Sequence, residues 1–479
     1  MSQSCPAILV SVPHGAAAGN MLRTGTLARL LTATDDARVH VLSPMARDAE
    51  FTREVAHPRV TVEDLPPHTP AGLEARLLSL MQASYIDSEI TESVRVRRIE
   101  AYENGTIRWV RGKRLLTQAI APSMARQDSR YALSDRLVSH PGVEALFDRL
   151  QPAMLVTSSP GLIFAEVPLL RTAVRRGVWS AAIDASWDNF TNKLLPVRRV
   201  DRLIVWNDLM KQQAIDFHGY QEAAIRVVGT PQWDRYFREG SLSSRDEFSR
   251  RIGADPSAKL VTVTTTPRAL FSHHDHVLRV LVAAVRRDVF APHRVQILVR
   301  LHPRDEREHY DEFNDVPEVI VEKPFRGTVR AGDGMAVDVT ANSQRHLADT
   351  LRHSDVVINV ASTIALEAAI FDTPIVNIAF DGETASPFAR SSRRYYRFVH
   401  YTNVTRHDSV IVAWTPDELV AGVKRYLDDP SLHAAGRRAV AREQCQFMDG
   451  RASERIADVL IDDFRRVTGR VPAEQSSCA

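Results

Sequence analysis

Two doubly wound α/β domains are predicted by three observations on this sequence. Its 479 residues exceed what one hydrophobic core comfortably supports. Short continuous apolar runs alternate with helical patterns, as in parallel strands covered on both faces by crossover helices. The runs fall into two series separated by a polar, Ser- and Gly-rich break, "REGSLSSRDEFSRRIGADPSAK", Arg238 to Lys259.

The first series reads "AILVSV", "RVHVLS", "AMLVTSS", "WSAAID", "RLIVW" and "IRVVG". The second reads "LVTVTTT", "RVQILVRLH", "EVIVE", "DVVINV" and "PIVNIAF". Each run is bounded by turn residues or a helical pattern, which marks it as a buried strand. The predicted organisation is a first domain over 1–237 with a helical insertion at 73–150, a linker at 238–256 and a second domain over 257–451. A C-terminal helix over 452–470 and a disordered tail over 471–479, "VPAEQSSCA", complete it.

Bulk composition narrows the function. The chain is 44% hydrophobic and 25% charged, with a net charge of +2, so no global field draws it to nucleic acid. Cys5, Cys445 and Cys478 are odd in number and scattered, which argues against a disulfide framework or a cysteine zinc site. "MSQSCPAILVSVPHG" lacks a basic n-region and reads as a first strand, not a signal peptide. No apolar stretch approaches the roughly 20 residues of a spanning helix. A cytoplasmic location is therefore expected. Within the insertion, Arg95, Arg97, Arg98, Arg108, Arg111, Lys113 and Arg114 form a basic cluster. It is either a solvated helix face or a surface for an anionic acceptor or lipid head groups, with peripheral membrane contact through 95–114.

In open α/β sheets, ligands gather beyond the carboxyl ends of the strands, at helix N-termini. After "DVVINV" comes "ASTIALEAA", where Ser362 and Thr363 are expected to cap a helix whose free N–H groups favour a phosphate. Glu367 lies one helical turn beyond Thr363 in an otherwise apolar helix, placed to accept the two hydroxyls of a ribose. After "RVQILVRLH", Pro303 stops pairing and leaves His302 at a strand exit, with Arg300 on the same face by alternation. After "LVTVTTT", Thr265, Thr266 and Arg268 share that sheet edge. His273, His274, Asp275 and His276 resemble a metal cluster, yet consecutive residues point in different directions, so no metal site is expected there.

In the first domain, "AILVSVPHGAAAGN" puts His14 after the first strand, in the pKa range of a general base. Its glycine spacing is not that of a dinucleotide fingerprint. "IDASWDNFTNK" places Asp184, Ser186, Trp187, Asp188 and Asn189 after another strand. An aromatic ring beside carboxylate and amide groups suits sugar recognition, so Trp187 and Asn189 are candidate acceptor contacts.

"SWDNFTNK", "VWNDLMKQQA", "VVGTPQWDRYF", "RLHP", "NVASTIALEAAIFDTPIVNI" and "MDGRASERIADVL" together resemble bacterial surface-carbohydrate transferases of the GT-B architecture. That group includes CDP-glycerol glycerophosphotransferases and polysaccharide sialyltransferases. The resemblance implies two facing Rossmann-like domains, with donor nucleotide on the C-terminal domain and acceptor on the N-terminal one. It assigns His302, Ser362 and Thr363 to the donor phosphate and Glu367 to its ribose. Thr266, Arg268 and Arg300 join them as candidate donor contacts. His14, or a carboxylate such as Asp188, becomes the base.

The implied activity is metal-independent glycosyl transfer from a nucleotide-activated donor to a cell-surface glycan or related lipid-linked acceptor, with no cofactor. No D-x-D motif of the metal-dependent alternative fold occurs. The rivals are transfer of an alditol phosphate from a CDP donor, 2-epimerisation of a UDP-sugar, and a non-catalytic nucleotide-binding role within an assembly complex.

Overall fold

A computed structural model describes residues 5–34, 36–105, 138–193, 198–324 and 341–469. The described chain forms two compact units. One takes residues 5–88, 138–234 and 449–469; the other takes 89–105 and 235–448.

The first unit is built on seven strands: β1 (Ala7–Ser11), β2 (Arg38–Ser43), β3 (Val60–Asp64), β4 (Pro152–Thr157), β5 (Trp179–Ile183), β6 (Arg202–Val205) and β7 (Ile225–Val227). All pairings are parallel, in the order β3-β2-β1-β4-β5-β6-β7. Ile8, Val10, Val39, Val41, Met154 and Val156 are buried in its core. Into that core the last helix, Ala452–Val467, inserts Ile456, Leu460 and Phe464. Asp234 holds the start of this helix, accepting the backbone N–H groups of Ala452 and Ser453 at 2.8 Å each. Arg202 and Asp463 add a bidentate ion pair, at 2.8 and 2.9 Å.

The second unit carries β8 (Lys259–Thr264), β9 (Val295–Arg300), β10 (Val319–Glu322), β11 (Val356–Asn359), β12 (Ile375–Ile378) and β13 (Ile411–Ala413). This sheet is also wholly parallel, in the order β10-β9-β8-β11-β12-β13. Helices His274–Arg286 and Pro416–Asp428 bury Val277, Leu281, Leu419 and Val423 against it. The chain is thus a two-sheet α/β protein with doubly wound connections, the predicted fold class. β3 and β13 escaped the sequence reading. Each is an edge strand, short or half-exposed, and so lacks an unbroken apolar run.

The expected linker at 238–256 is a correction. Its centre is a helix, Arg245–Ile252, started by a capping box of Ser244 and Glu247. Phe248 is buried against Leu260 and Leu298, and Arg245 pairs with Asp355 at 2.8 Å. This stretch therefore belongs to the second unit, whose longer segment begins at Arg235. The insertion also divides. Helix Gly72–Ser88 stays with the first unit, whereas helix Glu92–Glu103 joins the second. There Glu100 accepts from Arg394 at 2.8 Å, Glu103 from the Ala389 N–H at 2.8 Å, and Ser93 Oγ from the Val399 N–H at 2.8 Å.

Three members of the basic cluster are ion-paired along this helix: Arg95 with Glu89 and Glu92, Arg97 with Glu100, and Arg98 with Glu89. Arg108, Arg111, Lys113 and Arg114 lie outside the described residues, as does the tail. Among the described residues, no helix is long and apolar enough to cross a membrane.

Candidate functional site

In each sheet the strand order reverses once. In the second unit this switch lies between β8 and β11, where the two crossover directions part, the place beyond the strand ends at which open α/β sheets hold ligands. Three segments surround it: Thr265–Thr266 after β8, His302 after β9, and Val360–Thr363 after β11.

His302 sits on a braced loop. Its backbone N–H donates to Thr265 Oγ1 at 2.9 Å, and the next buried carboxylate, Asp305, accepts from the Tyr310 hydroxyl at 2.6 Å. His302 Nδ1 accepts the Arg304 N–H at 3.0 Å. That bond commits the Nδ1 lone pair, so the neutral ring carries its proton on Nε2. Burial, then Arg304, pushes the His302 pKa down to about 4. Near neutral pH His302 therefore presents an uncharged N–H donor.

Ser362 is oriented from within the sheet. The Tyr401 hydroxyl donates to Asn377 Oδ1 at 2.6 Å, Asn377 Nδ2 donates to Asn359 Oδ1, and Asn359 Nδ2 donates to Ser362 Oγ at 3.1 Å. Asn359 and Asn377 are register partners on β11 and β12, and both are buried with Tyr401. Ser362 Oγ accepts from Asn359, which leaves its own hydroxyl proton to donate elsewhere. This revises the expected cap. The helix Ile364–Ile370 has Thr363 at its N-cap without a side-chain cap bond, and Ser362 serves the relay instead. The Thr363 hydroxyl makes no hydrogen bond among the described residues.

Three other candidates are engaged within the protein. Glu367 is buried and accepts from the Tyr236 hydroxyl through Oε2. Burial, then the Glu367 charge, holds the Tyr236 phenol well above its usual range, so it remains a donor. Arg300 is buried beside Glu322, with Nη1 to Oε1 at 3.4 Å. Thr266 is tied to the buried His274, whose Nε2 accepts its backbone N–H at 2.9 Å. Arg268 is exposed on the same loop.

In the first unit the switch lies between β1 and β4. Beyond β4, Ser158 and Ser159 are gathered by the fully buried Glu166, which accepts the Ser158 N–H at 2.8 Å and both hydroxyls at 3.0 and 2.9 Å. Beyond β1, His14 is buried, and its Nδ1 accepts the Ala17 N–H at 3.1 Å. Its Nε2 thus carries the proton and finds no partner. Burial, then Lys193, lowers its pKa to about 4. His14 is a donor in this geometry, not the expected base.

Asp188 is also spent, accepting from Ser186 and from Asn192 at 3.2 Å and pairing with Lys193 at 3.2 Å. Trp187 is buried instead of presenting a ring face. Asn189 donates to Asp184 Oδ1, and its own Oδ1 has no partner. Asp184 itself is fully buried with Oδ2 unpartnered, and burial pushes its pKa up to about 7. That is the range of a working general base.

Sequence reasoning missed Asn359, Asn377, Tyr401, Tyr236 and Glu166. The signal for the asparagines was present, because each is the one polar residue of an otherwise apolar strand, at or next to its end. Among the described residues, one group has metal-ligand chemistry: His68, Glu74 and His140 in the first unit. Arg171 already binds Glu74 Oε1 there and provides the counter-charge that a dication would bring.

These geometries can be set beside known proteins. The chain is 26% identical over 280 residues to a lipid-A-disaccharide synthase of Geobacter sulfurreducens, covering 56% of this chain and 64% of that one. It is 29% identical over 122 residues to that of Geobacter metallireducens, covering 24% and 31%. The chain therefore spans less than two thirds of the length of these curated relatives. In fold it is similar to UDP-GlcNAc 2-epimerase from Neisseria meningitidis bound to UDP-GlcNAc (TM-score 0.53, 9% identity, 95% of this chain and 100% of that one). A glycosyltransferase from Rickettsia africae gives 0.51 at 7% identity, covering 98% and 100%. At such identities the likeness shows the fold alone.

A family profile described as CDP-glycerol:poly(glycerophosphate) glycerophosphotransferase matches residues 177–462. It takes in "SWDNFTNK", the whole second-unit sheet and most of the closing helix. Matched over more than half its length, with the relay and the braced His302 inside the matched stretch, the chain belongs to the CDP-glycerol:poly(glycerophosphate) glycerophosphotransferase family.

Proposed function

We propose that the protein transfers a sugar from a nucleotide-activated donor to a hydroxyl of a surface-glycan acceptor, with the donor phosphate held at the second unit's switch point. One observation carries the reading: the Tyr401–Asn377–Asn359 relay ends on Ser362 Oγ and leaves that hydroxyl's proton to donate. With His302 Nε2–H it gives two uncharged donors held by protein hydrogen bonds before the ligand arrives, and the Thr363 hydroxyl is free to turn towards the same ligand. Such preset donors stabilise the charge that grows on a leaving phosphate at little reorganisation cost. A ribose diol at Glu367 shares that carboxylate with Tyr236. For the acceptor hydroxyl, the first unit offers Asp184 as the carboxylate suited to take its proton. In this reading no cofactor or metal takes part, and the donor is a co-substrate.

The family match favours a second reading, transfer of an alditol phosphate from a CDP donor, in which attack falls on phosphorus. The test is a panel of UDP-sugars, GDP-sugars, CMP-sugars and CDP-glycerol scored by thermal shift and by the products released. Stabilisation and slow hydrolysis of a nucleotide sugar support glycosyl transfer, and CMP release from CDP-glycerol alone supports the phosphotransferase. Epimerised sugar formed without acceptor would overturn both. Ser362→Ala should weaken donor binding about tenfold, the scale of a hydrogen bond to a charged group.

A further inference from the structure

The carboxylate assigned to a nucleotide's ribose is enclosed. Glu367 is 6% exposed, and its Oε2 accepts the Tyr236 hydroxyl. Tyr236 is itself buried, with its ring tilted against Phe371 at 5.2 Å between centroids. The Glu367 charge also acts on two other buried side chains, Arg300 and Cys445. A carboxylate walled in this way has no open side for two ligand hydroxyls. A ribose reaches it only when one of the surrounding groups withdraws.

Those groups are anchored differently. Arg300 ends strand β9, and Cys445 ends the helix Ala434–Cys445. Tyr236 sits on a short 3-10 helix, Pro231–Phe237, two residues past Asp234, where the chain leaves the first unit. Its phenol also stands in for a ligand hydroxyl, as a neutral O–H donating to Oε2. Because the phenol stays protonated, replacing it by a sugar hydroxyl swaps one neutral donor for another and moves no charge.

We infer that Tyr236 is a specificity-determining residue of the nucleotide site, whose phenol holds Glu367 while the site is empty and yields it to the ribose diol. The two share the carboxylate in turn, not together. This inference rests on the ribose reading of Glu367. A vicinal diol brings two donors for the one it removes, so a ribonucleotide completes the exchange. A ligand without those hydroxyls would strand a buried carboxylate if the phenol left, and so leaves it in place. Tyr236 thereby sets the worth of the diol: the observed affinity for a ribonucleotide is reduced by the cost of opening the Tyr236–Glu367 contact.

The experiment titrates the full chain by calorimetry with CMP, UDP and GDP, with their 2′,3′-dideoxy counterparts, and with pyrophosphate. Tyr236→Phe should bind the ribonucleotide about tenfold more tightly, the scale of a hydrogen bond to a charged group. Its affinities for the dideoxy form and for pyrophosphate should match those of the parent. Glu367→Gln should weaken the ribonucleotide and leave the other two unchanged. In the parent protein, amide hydrogen exchange across Pro231–Phe237 should quicken on adding the ribonucleotide and not on adding pyrophosphate, which decides the matter even if Tyr236→Phe fails to fold. Parent affinity for the ribonucleotide in Glu367→Gln, or no ribonucleotide bound at all, removes the ribose reading and this inference with it. Where Glu367→Gln does weaken binding, three results overturn the exchange alone: unchanged or weaker ribonucleotide binding in Tyr236→Phe, equal tightening towards the dideoxy form, or hydrogen exchange across Pro231–Phe237 that slows or stays the same.

Discussion

At the residue scale, Asp184 and His14 illustrate how burial sets protonation in opposite senses. Asp184 is held at about 7, above its usual range, chiefly by burial. Its folded-state pKa exceeds the unfolded one, so its contribution to stability is full at low pH and fades as pH rises from about 4 towards 7. His14 is held at about 4, also by burial, and its contribution fades as pH falls below about 6.5. Asp184→Asn should therefore gain stability relative to the parent between pH 5 and pH 8, by roughly 2–4 kcal/mol in denaturant titrations. The same variant should lose about 10²–10⁴ in kcat if Asp184 takes the acceptor proton. A stability difference that stays flat with pH would show that the carboxyl is not protonated in the fold.

At the scale of elements, the strand ends β11 and β12 do more than carry the backbone to the site. Asn359 and Asn377 lie side by side in a dry sheet, and every donor in their chain points the same way, from Tyr401 to Ser362. Each link satisfies a polar group that burial would otherwise penalise by about 1–3 kcal/mol. If the relay acts through Ser362, Asn359→Leu and Ser362→Ala should each weaken donor binding about tenfold, and together no more than either alone. Additive losses would sever the relay from binding, and Tyr401→Phe gives a milder cut at its far end. The sequence made the strands legible because their apolar runs are long for parallel elements, and it made Ser362, Thr363 and His302 legible because each follows such a run. It could not show which partner each would hold. Ser362 reads as a cap from its position, and His14 as a base from its residue type and its place after the first strand; both turn on hydrogen bonds to neighbours that no periodicity encodes. The helix Arg245–Ile252 reads as linker because its polar surface is what the pattern displays, while one buried aromatic residue, Phe248, anchors it.

For the whole molecule, the chain order and the fold order differ, and stability follows the fold. The first unit is completed by residues from the far end of the sequence. Ile456, Leu460 and Phe464 sit in the same core as Ile8 and Val39, and Asp234 and Arg202 hold the closing helix near its two ends. The helix is thus a structural part of that core and not an appendage. Phe464 is 1% exposed, so its truncation removes a large buried side chain with little room for collapse. Phe464→Ala should destabilise the first unit by about 3–5 kcal/mol. Asp234→Ala should also destabilise it by stranding two helix-start N–H groups. The second unit has its own core, built from Val261, Ile297, Ile358 and Val376, and does not draw on this helix. Unfolding of Phe464→Ala followed by urea should therefore resolve an early transition belonging to the first unit, followed by a later one at the parent position. Nucleotide added to the same variant should raise the later midpoint and leave the earlier one in place, because the hydroxyls assigned to the phosphate belong to the second unit. A single transition displaced as a whole, or a nucleotide shift confined to the earlier midpoint, would mean that the two cores do not stand independently or that the nucleotide is held by the first.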